Sequence, residues 1–190
     1  YEEPKSLGNK EDAKAGTETD KDSAQSVYYH RVGTKQEDDV LIYEKPDEPL
    51  NVYFTAISSC GKYLMNNKGV DCDDDIYTIQ YADISQEKFD KPIEFKALET
   101  KLPGKGMSFI DSIGTKFYFR SSYGVSNYKI ICVDLEKPGE ENWVDIVPEH
   151  EMNVLNDVYS ANGLIIATYM ENVSDKLKVF DFEGKFIQDI

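Results

Sequence analysis

The chain has 190 residues, enough for one domain with a substantial core, and a formal net charge of −15. No basic patch offsets that charge, which excludes nucleic acid as a partner and leaves solubility as the role of the acidic excess. No window approaches the apolar length of a membrane span and no signal peptide opens the chain, so no membrane partner is expected.

Cys60, Cys72 and Cys132 form no paired spacing, and their odd number fits a reducing, cytoplasmic compartment rather than a disulfide framework. The opening Tyr1-Glu2-Glu3-Pro4 reads as the middle of a longer protein. Residues 1–24 are polar, with too little apolar surface to offset ordering, and read as an arm or loop.

From Val27 onward short apolar runs alternate with turn clusters, the pattern of an all-β fold, and thirteen Tyr and nine Phe suit pleated surfaces. Val27–Arg31 and Val40–Glu44 pair across Gly33-Thr34. Strands are then expected at Asn51–Ser58, Tyr63–Asn66, Ile76–Ile84 and Pro92–Leu98, followed by Met107–Ile113, Lys116–Ser121, Tyr128–Leu135 and Trp143–Val147. Val154–Ser160, Leu164–Met170, Leu177–Phe182 and Phe186–Ile190 complete the series. Helical spacing is nowhere sustained; only Glu149 to Leu155 is expected to make a helical turn.

Two markers repeat along this series. A Ser precedes a turn Gly at Ser58 and Gly61, Ser112 and Gly114, and Ser160 and Gly163; the glycines stand 53 and 49 residues apart. An Asp between apolar neighbours recurs at Asp83, Asp134 and Asp181, spaced by 51 and 47. This is the period of four-stranded propeller blades, in which Gly supplies a positive φ and Asp bonds its own backbone at the end of the third strand. The expected fold is therefore an all-β propeller of antiparallel blades. Residues 25–50 supply the outer two strands of one blade, and 51–190 supply three more (51–102, 103–150 and 151–190).

No complete catalytic constellation appears. Gly124-Val125-Ser126-Asn127-Tyr128 begins like a nucleophile elbow, but Tyr128 occupies the second Gly position. Both histidines, His30 in a strand and His150 after a Pro-Glu turn, fall inside the propeller pattern and read as structural. The acidic run Asp71-Cys72-Asp73-Asp74-Asp75 fails the calcium-loop test, because Ile76 and Ala82 stand at its sixth and twelfth positions; it reads as a solvated loop. Zinc spacing is absent, Gly104-Lys105-Gly106 reads as a turn, and the sequon Asn172-Val173-Ser174 is expected to stay unmodified. No metal or cofactor is called for.

Several stretches resemble the propeller domain of prolyl oligopeptidase: Gly16-Thr17-Glu18-Thr19, Tyr28-Tyr29-His30 with Gly33-Thr34, Pro46-Asp47-Glu48-Pro49, Ser126-Asn127-Tyr128 and Val147-Pro148-Glu149-His150-Glu151. Residues 30–44 share some character with oligopeptidase B. The resemblance implies a seven-bladed propeller, about half of it here, capping an α/β-hydrolase domain and filtering short proline-containing peptides by size. The implied partners are that hydrolase domain, the remaining blades and those peptides.

The resemblance also implies that the loop Asn66-Asn67-Lys68-Gly69-Val70-Asp71-Cys72 faces the active-site cavity, with Lys68 and Cys72 as substrate-binding residues. The alternatives are a non-enzymatic propeller that presents loops to a protein partner, and a propeller segment of an oligopeptidase B-like enzyme. On any of these readings the chain alone is inactive. An active-serine probe should leave Ser126 unlabelled, and a chromogenic proline peptide should not turn over; labelling at Ser126 would refute this.

Overall fold

The computed structural model describes residues 24–69, 78–98 and 106–190. These residues form antiparallel β-structure with single-turn 3-10 helices at Gln36–Asp38 and Glu140–Asn142. Among them, no helix is long and apolar enough to cross a membrane. The polar arm falls almost wholly outside the described residues, as do the acidic run and Cys72.

Strands β1 (Ser26–Tyr29) and β2 (Val40–Glu44) form a two-stranded sheet. Three four-stranded meanders follow, each paired in chain order. The first contains β3 (Val52–Ile57), β4 (Tyr63–Gly69), β5 (Thr78–Asp83) and β6 (Lys96–Ala97). The second contains β7 (Met107–Ile113), β8 (Lys116–Ser121), β9 (Lys129–Asp134) and β10 (Val144–Val147). The third contains β11 (Val154–Ala161), β12 (Leu164–Glu171), β13 (Ser174–Phe180) and β14 (Phe186–Asp189).

Strand alternation decides which residues face which neighbour. On β4, Leu64 packs with Ile42, Ala82, Ile84 and Ile93 against the two-stranded sheet, whereas Tyr63 and Met65 face the opposite way. Those two meet Phe117, Phe119, Ile131 and Val133 of the second meander. The other face of that meander presents Tyr118, Ile130 and Cys132 to Leu155, Ile165, Ala167 and Phe182 of the third. Phe117 is fully buried, and its ring centroid lies 4.8 Å from Tyr63, 5.5 Å from Tyr81 and 5.7 Å from Phe109, all edge-on. Edge-to-face aromatic pairs add to simple burial, so this cluster is the main bond between two sheets.

Both repeating markers take their expected geometry. Gly61, Gly114 and Gly163 have φ of +70°, +62° and +74°. Asp83, Asp134 and Asp181 each accept a backbone N–H two residues ahead, from Ser85, Glu136 and Glu183 at 3.0, 3.0 and 3.1 Å. The serines are less alike. Ser58 Oγ accepts the Tyr63 N–H, Ser160 Oγ lies 3.3 Å from Ser59 Oγ, and Ser112 Oγ has no partner among the described residues.

Four expected elements differ from those observed. β4 runs on to Gly69, so Lys68 lies on a strand rather than in a loop. β6 shrinks to Lys96–Ala97, because Pro92 has no N–H and Ile93 donates instead to the Ile42 carbonyl at 2.8 Å in the neighbouring sheet. Glu149–Leu155 makes no helical turn: His150 Nδ1 accepts the N–H groups of Met152 and Asn153, and β11 starts at Val154. β13 starts at Ser174 rather than Leu177, since a two-residue turn carries the pairing to Glu171 and Ser174 at the hairpin tip. The polar Ser174-Asp175-Lys176 gave no apolar alternation to mark it.

That tip is strained. Asn172 and Val173 have φ of +50° and +61°, and Val173 is 96% exposed. A β-branched residue in the left-handed region costs about 1–2 kcal/mol, and this side chain recovers nothing by burial. Val173→Gly should therefore raise stability by about 1 kcal/mol, read as a higher denaturant midpoint at unchanged slope. Gly184 presents the opposite case. Its φ is +86°, and a Cβ there would run into the Ile146 carbonyl oxygen of the second meander. Gly184→Ala should lower stability by about 2–3 kcal/mol in the same measurement, because neither backbone can yield cheaply.

Candidate functional site: the loop rim

In an antiparallel meander, the second hairpin of each sheet and the crossover to the next sheet turn at the same end. Here that end collects the paired ends of β4 and β5 and the hairpins after β8 and β12, together with the crossovers 44–52 and 147–154. Lys68 stands at this rim. Its ammonium is held by Glu48 of the first crossover, which also accepts from Asn51 Nδ2. Lys68 is 20% exposed and lies among Tyr43 and Tyr53, whose ring centroids are 5.3 Å apart. Partial burial pushes the Lys68 ammonium down, but the Glu48 carboxylate outweighs it and holds the group above its ordinary value. Lys68 in turn holds Glu48 below the usual carboxylate range, with help from Asn51.

The second meander's hairpin loop is fastened to its crossover. Glu149 Oε1 accepts the N–H groups of Ser126 and Asn127 at 2.8 and 2.7 Å. Asn127 Nδ2 returns a bond to the His150 carbonyl at 3.0 Å, and His150 Nδ1 accepts from the Met152 and Asn153 N–H groups at 3.2 and 3.1 Å. Arg120 completes the clamp: its Nε donates to the Leu155 carbonyl at 2.8 Å, and its guanidinium lies 3.4 Å from the centre of the Tyr128 ring. The residues that look most distinctive in the sequence, Ser126-Asn127-Tyr128 and Pro148-Glu149-His150-Glu151, are thus partners in one strut.

At the opposite end, the first hairpins of the three meanders converge. The Ser59 N–H donates to Asp111 Oδ1 at 2.9 Å, the Ser112 N–H donates to the same oxygen at 2.8 Å, and Ser59 Oγ meets Ser160 Oγ at 3.3 Å. Burial raises the Asp111 carboxyl, but the hydrogen bonds from Ser59, Ser160 and Ser112 outweigh it, so the acid titrates below its ordinary value. One carboxylate therefore ties three sheets together at this end. Sequence reasoning missed it, because Asp111 sits inside an apolar run with no spacing that marks it.

Among the described residues, no nucleophile–base pair emerges at the rim. Ser126 is engaged through its backbone and His150 through Nδ1, while His30 lies just beyond β1 with Nδ1 2.6 Å from Asp39. Among the described residues, no group of three or more His, Cys, Asp or Glu side chains is placed to hold a metal ion.

Comparison with known proteins matches residues 8–190 to the family described as prolyl oligopeptidase, N-terminal beta-propeller domain. Prolyl oligopeptidase A of Amanita bisporigera is 28% identical over 179 residues, covering 89% of this chain and 22% of that protein. Prolyl endopeptidase of Dictyostelium discoideum is 25% identical over 189 residues, covering 92% and 24%. Among solved structures, prolyl oligopeptidase B from Galerina marginata, bound to a 35mer hydrolysis and macrocyclization substrate, superposes with a TM-score of 0.78 at 25% identity, covering 89% of this chain and 24% of that one. The chain spans under a quarter of the length of these relatives.

Two outcomes follow from the two ends. Glu149→Ala removes a charged acceptor from two N–H groups and should cost about 2 kcal/mol, with faster amide exchange confined to Ser126 and Asn127. The Asp111 tie is depressed in the fold, so its stabilisation is complete above the unfolded carboxyl value of 3.8 and is lost as pH falls through the lower folded value. Urea midpoints should accordingly drop on acidification below that value, and Asp111→Asn should flatten the drop while lowering the midpoint at neutral pH.

Proposed function

Since the chain belongs to the prolyl oligopeptidase family, within its N-terminal β-propeller domain, we propose that it gates the access of short proline-containing peptides to an α/β-hydrolase active site carried elsewhere in the protein. The observation that carries this reading is the gathering of the second hairpins and crossovers, with Lys68, at one rim. A rim stiffened by the Glu149 strut and the Lys68–Glu48 pair can hold an opening of fixed size, and size filtering needs that rigidity rather than reactive groups. The likeness to a prolyl oligopeptidase of Galerina marginata supports a peptide as the ligand class. The blades on this reading run 51–102, 103–150 and 151–190, with 25–50 giving the outer pair of another. The compartment is cytoplasmic and no cofactor is required.

Lys68 and Cys72 border the cavity on this reading. Lys68 meets substrate as the anchored ammonium of an ion pair, while Cys72 offers a thiol near the passage. The test uses the full-length protein. Alkylating Cys72 with a bulky reagent should slow turnover of a long proline peptide several-fold more than that of a dipeptide-sized substrate, whereas Cys72→Ala should change neither. Complete modification with no change in the long-peptide rate would remove the loop from the cavity. Equal slowing of both substrates would point to damage at the catalytic centre instead of gating.

A further inference from the structure

Cys60 lies in the first hairpin of the first meander, at the end of the sheet opposite the rim, and nothing in the gating function uses it. The residue is exposed, whereas Cys132 is buried against Tyr118 between two sheets. Two serines surround it. Ser58 Oγ stands 3.4 Å from the sulfur. That oxygen already accepts the Tyr63 N–H at 3.0 Å, which leaves the hydroxyl proton free for the sulfur. Ser112, only 5% exposed, carries a hydroxyl with no hydrogen-bond partner among the described residues, yet near enough to Cys60 to favour its thiolate slightly. A buried hydroxyl left unpaired is costly, and beside an exposed thiol it is a vacant acceptor and donor for an atom added to the sulfur.

We propose that Cys60 is a site of oxidation by a small hydroperoxide, with the Ser58 hydroxyl holding the sulfur and the vacant Ser112 hydroxyl taking up its new oxygen. The attacking species is the thiolate. Its lone pair forms an S–O bond to the distal peroxide oxygen as the O–O bond breaks, giving the sulfenic acid and a hydroxide or alkoxide that takes a proton from water. Sulfur loses two electrons and the peroxide gains them. The Ser58 hydroxyl, the Lys62 backbone and the Ser112 hydroxyl all favour the thiolate and hold this thiol below its ordinary value, against a small opposing effect of burial. Burial pushes the Cys132 thiol the other way. The oxidised sulfur would sit one residue from Ser59, whose N–H holds Asp111, so the modification lands beside the tie that joins three sheets.

The experiment treats the full-length protein with limiting hydrogen peroxide in the presence of dimedone and maps the adducts by mass spectrometry. Cys60 should carry about tenfold more adduct than Cys132, and Cys60→Ser should lose that signal alone. Ser112→Ala should slow Cys60 labelling about threefold while leaving the melting temperature unchanged or higher, because the hydroxyl it removes is unpaired. Labelling of Cys60 no greater than that of Cys132 would overturn the proposal. So would a Cys60 rate that Ser112→Ala leaves unchanged.

Discussion

Every central sheet in this chain has two apolar faces, and that constraint governs the rest of the structure. Tyr63 and Met65 point one way and Leu64 the other; Phe117 and Phe119 point one way and Tyr118 the other. A sheet of this kind cannot cover itself, and folding back a helix would cover one face only. The available solution is a row of like sheets, each burying its neighbour's face. Meander topology follows, because consecutive antiparallel strands need only short turns, and short turns leave both faces clear for stacking.

Apolar stacking fixes which faces meet but leaves the sheets free to slide and splay, so polar groups have to set the ends. They do so differently at each end. At one, the repeated Asp83, Asp134 and Asp181 close the turns within each sheet, and Asp111 reaches between sheets through Ser59. At the other, Glu149 and Asn127 fasten a hairpin to the following crossover. Carboxylates accepting backbone N–H groups carry most of this work. A net charge of −15 is therefore less idle than a solvated surface alone would suggest. The hydrogen bonds to Asp83, Asp111 and Asp134 hold those three carboxyls below their ordinary value.

The fold was legible in the sequence wherever alternation was clean. β2, β7 and β8 match their expected bounds, and the period of the Gly and Asp markers set the sheets in order. Legibility failed where another interaction outweighed local pattern. Ser174-Asp175-Lys176 is strand because the tight tip of its hairpin continues the pairing, although the residues are polar. Asn67 and Lys68, beyond the expected strand Tyr63–Asn66, read as loop for the same reason, yet β4 carries them as strand. The rim was legible only in part. Family resemblance pointed to Lys68, but the partner that fixes its ammonium, Glu48, lies twenty residues earlier in a crossover with no periodic signal. Cys60 and Asp111 left no trace in spacing at all, since their significance comes from hairpins brought together by stacking.

Lys68 also shows how a propeller rim can carry charge without becoming reactive. A lone ammonium between Tyr43 and Tyr53 would be partly desolvated and would lose its proton more easily, the route by which lysines become bases or nucleophiles. Glu48 reverses that tendency, and Asn51 fixes Glu48 in place. His150 is restrained in the same manner, with Nδ1 accepting two backbone N–H groups. His30 is engaged by Asp39. Lys68, His150 and His30 thus each have partners that hold their geometry. A surface built in this way contributes shape and field to whatever lies beside it.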